Sequence, residues 1–350
     1  MSKTLNDRLG IGLVGLGIIS RAHRVGYARA DDCARVVAVC DRDAGLAASV
    51  AAELGARAYT DLDALLADAE VAAVDLTLPH HVHFSAASAA LAAGRHVLVE
   101  KPLALTSAEC QGLIEQARDA GLTLGVAENT PFVTAYKVVE RLVQSGAIGE
   151  PRLARTLISG SEVERLRDTS LWKGRRAGSG GGAILDAGPH SFYLLRWLLG
   201  ELATVRGFHH RLIAESEVDD HAVVAGRTRS GALYSTEYTF TAEIPWGERL
   251  ELYGSEGSVI IDQLADPPAI HFAGRNDDNG TPLANVPYDP AGWKVDSIAA
   301  GVADFVRAVR EGRAPTVTGE DGLHGVLVAE RAYESADQGG IELELSIPSR

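Results

Sequence analysis

Cysteine is scarce. The 350 residues hold three, Cys33, Cys40 and Cys110, and no two are in CxxC spacing. That pattern excludes a disulfide framework and a cysteine-built zinc site, and reads as packed free thiols in a reducing compartment. No apolar run reaches the roughly 18 residues of a membrane-spanning helix. The opening stretch Met1 to Leu9 is polar and carries no signal-peptide apolar region, so the expected location is the cytoplasm. Positive charge is in deficit, with 33 Lys and Arg against 47 Asp and Glu and a net charge of -14. Neither nucleic acid nor an anionic membrane is expected as a partner. Internal repeats and low-complexity tracts are also missing. What remains is a chain that is 46% hydrophobic and long enough for two domains with ample cores.

The first part alternates strand and helix patterns. Apolar runs at 10–16, 35–40, 72–78, 96–99 and 123–127 predict strands, and alanine-rich stretches at 19–30, 44–54, 61–68, 81–93 and 107–120 predict the helices between them. Alternation of this kind specifies βαβ units and a doubly wound parallel sheet. After Asn129 the pattern changes. One helix, about 131–145, precedes strand-like segments at 151–160, 203–211, 219–228, 231–241, 247–254 and 257–262, with no comparable helices between the last five. These predict a large open sheet, mainly antiparallel. A polar, Gly- and Pro-rich loop follows over 263–292, then helices at about 295–312 and 320–336 and a last strand at 341–345. The fold class is therefore α/β followed by α+β, with domains at 1–128 and 129–350.

Three motifs carry chemistry. In Gly12-Leu13-Val14-Gly15-Leu16-Gly17-Ile18-Ile19-Ser20 an apolar strand runs into a glycine turn and a helix start. Gly15 and Gly17 take the first two places of G-x-G-x-x-G, which allow the turn and a close approach to a pyrophosphate; Ser20 replaces the third glycine. The next strand ends in Cys40-Asp41, about the interval at which an acid accepts ribose hydroxyls. The N-cap of the helix starting at Ala44 is the alternative role for Asp41, with the strand before it favouring the ribose. Second, Glu100-Lys101-Pro102 closes the apolar run Val97-Leu98-Val99. Pro102 takes the chain out of the sheet, and a lysine at the carboxyl end of a parallel strand points into the ligand crevice. There it suits polarising or protonating a substrate oxygen; a surface lysine at a strand end is the plainer alternative. Third, Gly180-Gly181-Gly182 leads to Asp186 and His190, which share a face if helical, although Pro189 can kink that helix. A carboxylate beside an imidazole fixes its tautomer and suits general acid/base work; a helix-start Asp with a structural His is the alternative.

This ordered set resembles the glucose–fructose oxidoreductase, inositol dehydrogenase and rhizopine-catabolism (Gfo/Idh/MocA) family over nearly the whole chain. The resemblance rests on Gly15-Leu16-Gly17, Asp41, Thr77-Leu78-Pro79 with His83, Glu100-Lys101-Pro102, Gly181-Gly182 with Asp186, Gly188 and His190, and Gly319-Glu320-Asp321-Gly322-Leu323. It implies a Rossmann domain and a second domain for substrate and subunit contacts. It also implies an NAD(P)-dependent oxidoreductase moving a hydride at a secondary alcohol or ketone of a sugar, cyclitol or sugar acid. Lys101, Asp186 and His190 match the family's catalytic trio. The cofactor set carried over is Gly15, Gly17, Ile18, Ile19, Asp41 and Arg42, with Thr77, Leu78, Pro79, His80, His83, Glu100, Lys101 and Asn129. The substrate set is Lys101, Asn129, Arg165, Trp172, Asp186 and His190. Departures from the family pattern are His80 after Pro79, Glu128-Asn129-Thr130-Pro131-Phe132, and Tyr193 after the histidine; they bear on which substrate is used.

NAD is expected over NADP, because Asp41 would repel a 2′-phosphate, though Arg42 is placed to offset it. No metal is expected: the resemblance accounts for two of the histidines in His80-His81-x-His83, and cysteine partners are missing. Arg165, Arg167, Lys173, Arg175 and Arg176 surround Trp172 and suit either a solvated loop or an anionic substrate group. Trp246 and Tyr238 could stack on a sugar face, although core or interface roles are commoner for such residues. A homodimer or homotetramer is expected, since few helices remain to cover both faces of the second sheet. An NAD-assisted glycosidase and a cofactor-sensing regulator are the other readings of such a fold.

Overall fold

A computed structural model describes residues 8–263, 265, 269–275, 281–282 and 292–346. The chain divides into two compact units, one of residues 1–129 with 294–323, the other of 130–293 with 324–350.

In the first unit, strands β1 (Leu9–Val14), β2 (Ala34–Cys40), β3 (Arg57–Tyr59), β4 (Ala73–Leu76), β5 (His96–Glu100) and β6 (Leu124–Ala127) alternate with helices α1 (Ser20–Arg29), α2 (Ala44–Leu54), α3 (Leu62–Leu66), α4 (His83–Ala92) and α5 (Ser107–Asp119). The sheet has the order β3-β2-β1-β4-β5-β6, and every ladder is parallel. This is the doubly wound Rossmann order, whose direction of build reverses between β1 and β4. β1, β4 and β5 are buried on both faces, hence their near-continuous apolar sequences. Local chemistry sets the helix starts. Asp43 caps α2 by accepting from the backbone N–H groups of Gly45 and Leu46. Thr106 and Glu109 form a capping box on α5. The short edge strand β3 has no apolar signature and was not expected from the sequence.

The second unit opens with α6 (Thr134–Gln144) and β7 (Pro151–Ser159). Short helices α7 (Val163–Arg167), α8 (Arg176–Ser179) and α9 (Ala183–Asp186) lead to α10 (Gly188–Leu199). Strands β8 (Leu202–His210), β9 (His221–Thr228), β10 (Leu233–Thr239), β11 (Gly247–Gly254), β12 (Gly257–Asp262), β13 (Ala269–Gly274), β14 (Thr281–Pro282) and β15 (Leu343–Glu344) complete a nine-stranded sheet with β7. Its order is β14-β13-β12-β11-β7-β10-β9-β8-β15, antiparallel except for the parallel pair β7 and β10. β13 and β14 form inside the stretch expected to be loop; the rest of 263–292 lies largely outside the described residues. Register places Tyr234, Thr236 and Tyr238 of β10 on the buried face. Tyr238 is therefore a core residue rather than a sugar platform. The opposite face carries Leu153, Val223, Leu233 and Phe208, each at least 40% exposed.

Helices α11 (Trp293–Glu311) and α12 (Gly319–Asp337) correct the expected boundary. Residues 294–323 belong with the first unit, not with a continuous 129–350 domain. The cause is packing. Val302, Phe305 and Val306 of α11 are buried in the same core as Ile11, Val39 and Leu98. Gly26 of α1 lets the two helices close up, since a Cβ there would lie 2.7 Å from Val302. Among the described residues no helix is long and apolar enough to cross a membrane.

Candidate active site

Gly15, Thr77 and Lys101 follow directly on β1, β4 and β5, three neighbouring parallel strands, at their carboxyl ends. Gly15 has φ +84°, and a Cβ there would sit 2.6 Å from the Thr77 carbonyl oxygen. Only glycine fits that turn. The Thr77 hydroxyl donates to the Gly15 carbonyl and, at 3.3 Å, to that of Val14, pinning the turn to β4. Gly17 differs, because nothing lies within 4 Å of where its Cβ would be. Protein packing does not require glycine there, and the open space suits close approach of a ligand. The first turn of α1 has no side-chain cap and no acidic residue, although its Arg21 and Ala22 N–H groups already donate to the Ile18 and Ile19 carbonyls. Ile18 beside it is 76% exposed. Asp41 accepts from Leu16 N–H at 2.8 Å and from Asp43 N–H at 3.0 Å, and Asp43 takes the cap of α2. Asp41 is thus tied to the glycine turn instead of serving as N-cap. These residues fit the adenosine and pyrophosphate part of a dinucleotide. Arg42 is exposed beside them.

The next layer is held by buried histidines. His83 is fully buried, with Nδ1 2.7 Å from the Pro102 carbonyl and Nε2 2.8 Å from that of Leu78. It ties the Leu78-Pro79 turn to the cis Lys101-Pro102 peptide. Burial lowers its pKa, against the pull of both carbonyls. Its expected cofactor role is therefore one of shaping the loops, since both nitrogens face backbone. His80 packs against it at a ring separation of 5.7 Å. The Asn129 amide donates to Ser297 Oγ at 2.8 Å, so α11 fixes that side chain.

Glu100 and Lys101 rest on a network that the motif reading missed. Nδ1 of His23 (α1) lies 2.8 Å from Asp75 Oδ2 (β4), and its Nε2 lies 3.0 Å from Glu100 Oε1. Tyr27 donates to the same Asp75 oxygen at 2.8 Å, and Lys101 N–H donates to Glu100 Oε2 at 3.1 Å. Burial lowers the His23 pKa, but Asp75 and then Glu100 outweigh it and raise it to about 10. Burial would raise the Glu100 pKa; the His23 bond and the His23 and Lys101 charges hold it below its ordinary value. The sequence signal was Asp75 inside the apolar strand Ala73-Val74-Asp75-Leu76, since a carboxylate there requires a buried partner.

In the second unit the glycine run makes room for an anchor. A Cβ on Gly182 would lie 1.8 Å from the Asp219 carbonyl oxygen, and one on Gly181 would lie 2.5 Å from Tyr333 Oη. Asp219 accepts from the N–H groups of Gly182 (2.9 Å) and Ile184 (3.1 Å) and from the Tyr333 hydroxyl (2.7 Å). Asp219 and Tyr333 thereby fix the helix start that carries Asp186; neither stands in a sequence motif. The helix breaks at Ala187, so Asp186 ends α9 while His190 lies in the first turn of α10, with Pro189 ahead of it. His190 and Ser191 line a small cavity of mixed character with Tyr136, Thr156, Glu248 and Leu194. Lys173 Nζ pairs with Asp186 at 3.0 Å and with Glu162. Arg165 also pairs with Glu162, at 3.2 Å, while Arg167, Arg175 and Arg176 are exposed and Trp172 is half-buried.

Comparison with known proteins agrees with this geometry. Residues 9–128 match the family described as "Oxidoreductase family, NAD-binding Rossmann fold", and residues 136–260 match the "GFO/IDH/MocA C-terminal domain". The chain is 30% identical to an inositol 2-dehydrogenase of Pseudomonas fluorescens, covering 98% of each chain. It is 33% identical to a dTDP-3,4-didehydro-2,6-dideoxy-alpha-D-glucose 3-reductase of Streptomyces violaceoruber, over 89% of this chain and 88% of the other. A solved levoglucosan dehydrogenase, in complex with NADH and levoglucosan, has the same fold: TM-score 0.88, 24% identity, 97% and 99% covered. The chain belongs to the Gfo/Idh/MocA family of NAD-binding oxidoreductases.

Proposed function

We propose that the chain is a dehydrogenase or reductase of carbohydrates, moving a hydride between NAD and a secondary alcohol or ketone of a sugar, cyclitol or sugar acid. The substrate class is supported by the inositol and deoxysugar activities of its relatives. The preference for NAD is supported by Asp41, whose carboxylate is anchored on the turn that would receive the dinucleotide. The observation that carries the reading is Lys101, set at the end of β5 next to the strand carrying Thr77 and backed by the buried Glu100.

Gly15, Gly17, Ile18, Ile19 and Asp41 would hold the cofactor, with Thr77 to His80 shaping its far end. Bound NAD supplies the hydride acceptor. In the oxidising direction His190 takes the hydroxyl proton, Lys101 stabilises the developing alkoxide, and Asp186 orients the imidazole and the substrate. Asn129, Arg165 and Trp172 are assigned to substrate contacts. The half-covered second sheet supports a homo-oligomer, dimer or tetramer, built on the face of Leu153, Val223, Leu233 and Phe208. The test is a screen of myo-inositol, D-glucose, D-xylose, levoglucosan and D-glucuronate with NAD at the NADH absorbance band. Turnover of at least one supports the reading; product formation with no net NADH points to NAD-assisted bond cleavage instead.

A further inference from the structure

The network under Lys101 has no part in the chemistry just described, and its construction is unusual for a core. His23 and Asp75 are wholly buried and the Glu100 side chain is 10% exposed. Ionised carboxylates only accept hydrogen bonds, so a ring with a carboxylate at each nitrogen must donate from both. A buried ionic cluster is a weak source of stability, and apolar residues of similar volume commonly do as well or better. Apart from His96 at the start of β5, strands β4 and β5 are otherwise apolar, so such a replacement would match the surroundings. What the network does supply is direction. The ring is gripped from β4 and β5 at once, Tyr27 holds the Asp75 oxygen from α1, and the second oxygen of Glu100 receives the Lys101 backbone N–H.

We propose that His23 is a positioning residue for Lys101: by bridging Asp75 and Glu100 it fixes the Glu100 carboxylate, which in turn fixes the backbone from which the lysine projects. The inference rests on Lys101 serving the reaction, and it makes His23 act only through that residue.

The variants are His23→Gln, which keeps a polar side chain but removes the double bridge, and Glu100→Gln, which keeps the shape and removes the charge. Each is compared with wild type and Lys101→Met, using NAD and the best substrate of the panel above. His23→Gln and Glu100→Gln are each expected to lower kcat at least about tenfold with KM for NAD within about twofold. In the Lys101→Met background His23→Gln should lower kcat no further, whereas a general loosening of the fold would multiply the two losses. Independently of any substrate, hydrogen exchange of the amides around Lys101 should quicken in both variants of the cofactor-free protein. Wild-type kcat or unchanged exchange in Glu100→Gln overturns the proposal, whether or not His23→Gln folds, and so do multiplicative losses in the double variant. Near-wild-type turnover by Lys101→Met overturns the function of the lysine itself, and the role of His23 falls with it.

Discussion

Lys173 sets its ammonium 3.0 Å from Oδ2 of Asp186, in a pair whose side chains are 12% and 15% exposed. The lysine of the basic loop is thus bound to the acid that ends α9 and is not held in reserve for an anionic ligand. Breaking a largely buried pair leaves the partner uncompensated, at about 3–5 kcal/mol. Lys173→Met is therefore expected to lower both the melting temperature and kcat, the latter roughly tenfold or more. Wild-type values of both would show that Asp186 is oriented by other contacts.

The arginines of the same loop give a separate expectation. If Arg165 contacts a carboxylate of the substrate, Arg165→Gln raises KM for D-glucuronate and leaves KM for myo-inositol unchanged. The same comparison on Arg167 and Arg176 covers the loop. Unchanged kinetics in all three variants confine these arginines to surface pairs such as Arg165 with Glu162.

Asp41 should decide the coenzyme. Its oxygens accept from the Leu16 and Asp43 N–H groups, which fixes the carboxylate on the glycine turn; under the cofactor placement proposed above it would repel a 2′-phosphate. We expect kcat/KM to favour NAD over NADP, and Asp41→Ser to narrow the ratio. A clear NADP advantage in the wild type would mean that Arg42 dominates.

Lys101→Met and His190→Asn are expected to bind NADH almost normally, by fluorescence titration, and to turn over at least about a hundredfold more slowly, as loss of a general acid/base implies. Asp186→Asn should be milder than His190→Asn if the carboxylate only orients the ring. Retention of wild-type kcat by Lys101→Met would remove the lysine from the chemistry.

His23 also predicts a pH dependence of stability. Its pKa rises from 6.5 unfolded to about 10 folded, so its contribution is complete below 6.5 and is lost as pH climbs through 10. Melting curves between pH 6.5 and 10 should show a decline that His23→Gln flattens. An equal slope in the variant would place the alkaline sensitivity elsewhere.

The Rossmann order, the glycine turn and the place of Lys101 at a strand end were legible because each rests on local rules: apolar runs bounded by helices, a positive-φ glycine, a proline at a strand end. Asp41 stayed ambiguous, because ribose acid and N-cap look alike until Asp43 is seen to take the cap. His23, Asp219 and Tyr333 were not legible. Their partners stand 35 to 151 residues away and no spacing rule links them. Lys173 was seen only as one charge in a cluster; its pairing with Asp186 needs coordinates. The break near residue 129 was legible, while the grouping of 294–323 with the first unit was not: α11 reads as an ordinary amphipathic helix, and nothing in its periodicity says which core it joins.

That helix has a consequence for how the chain is made. The dinucleotide-binding core lacks Val302, Phe305 and Val306 until translation has passed them. The first domain to be synthesised is the one that must wait, its sheet complete but its apolar surface uncovered, while more than 150 further residues are added. Truncation after residue 129 should therefore give not a small NAD-binding protein but an aggregation-prone one, and supplying residues 294–323 in trans is the natural rescue.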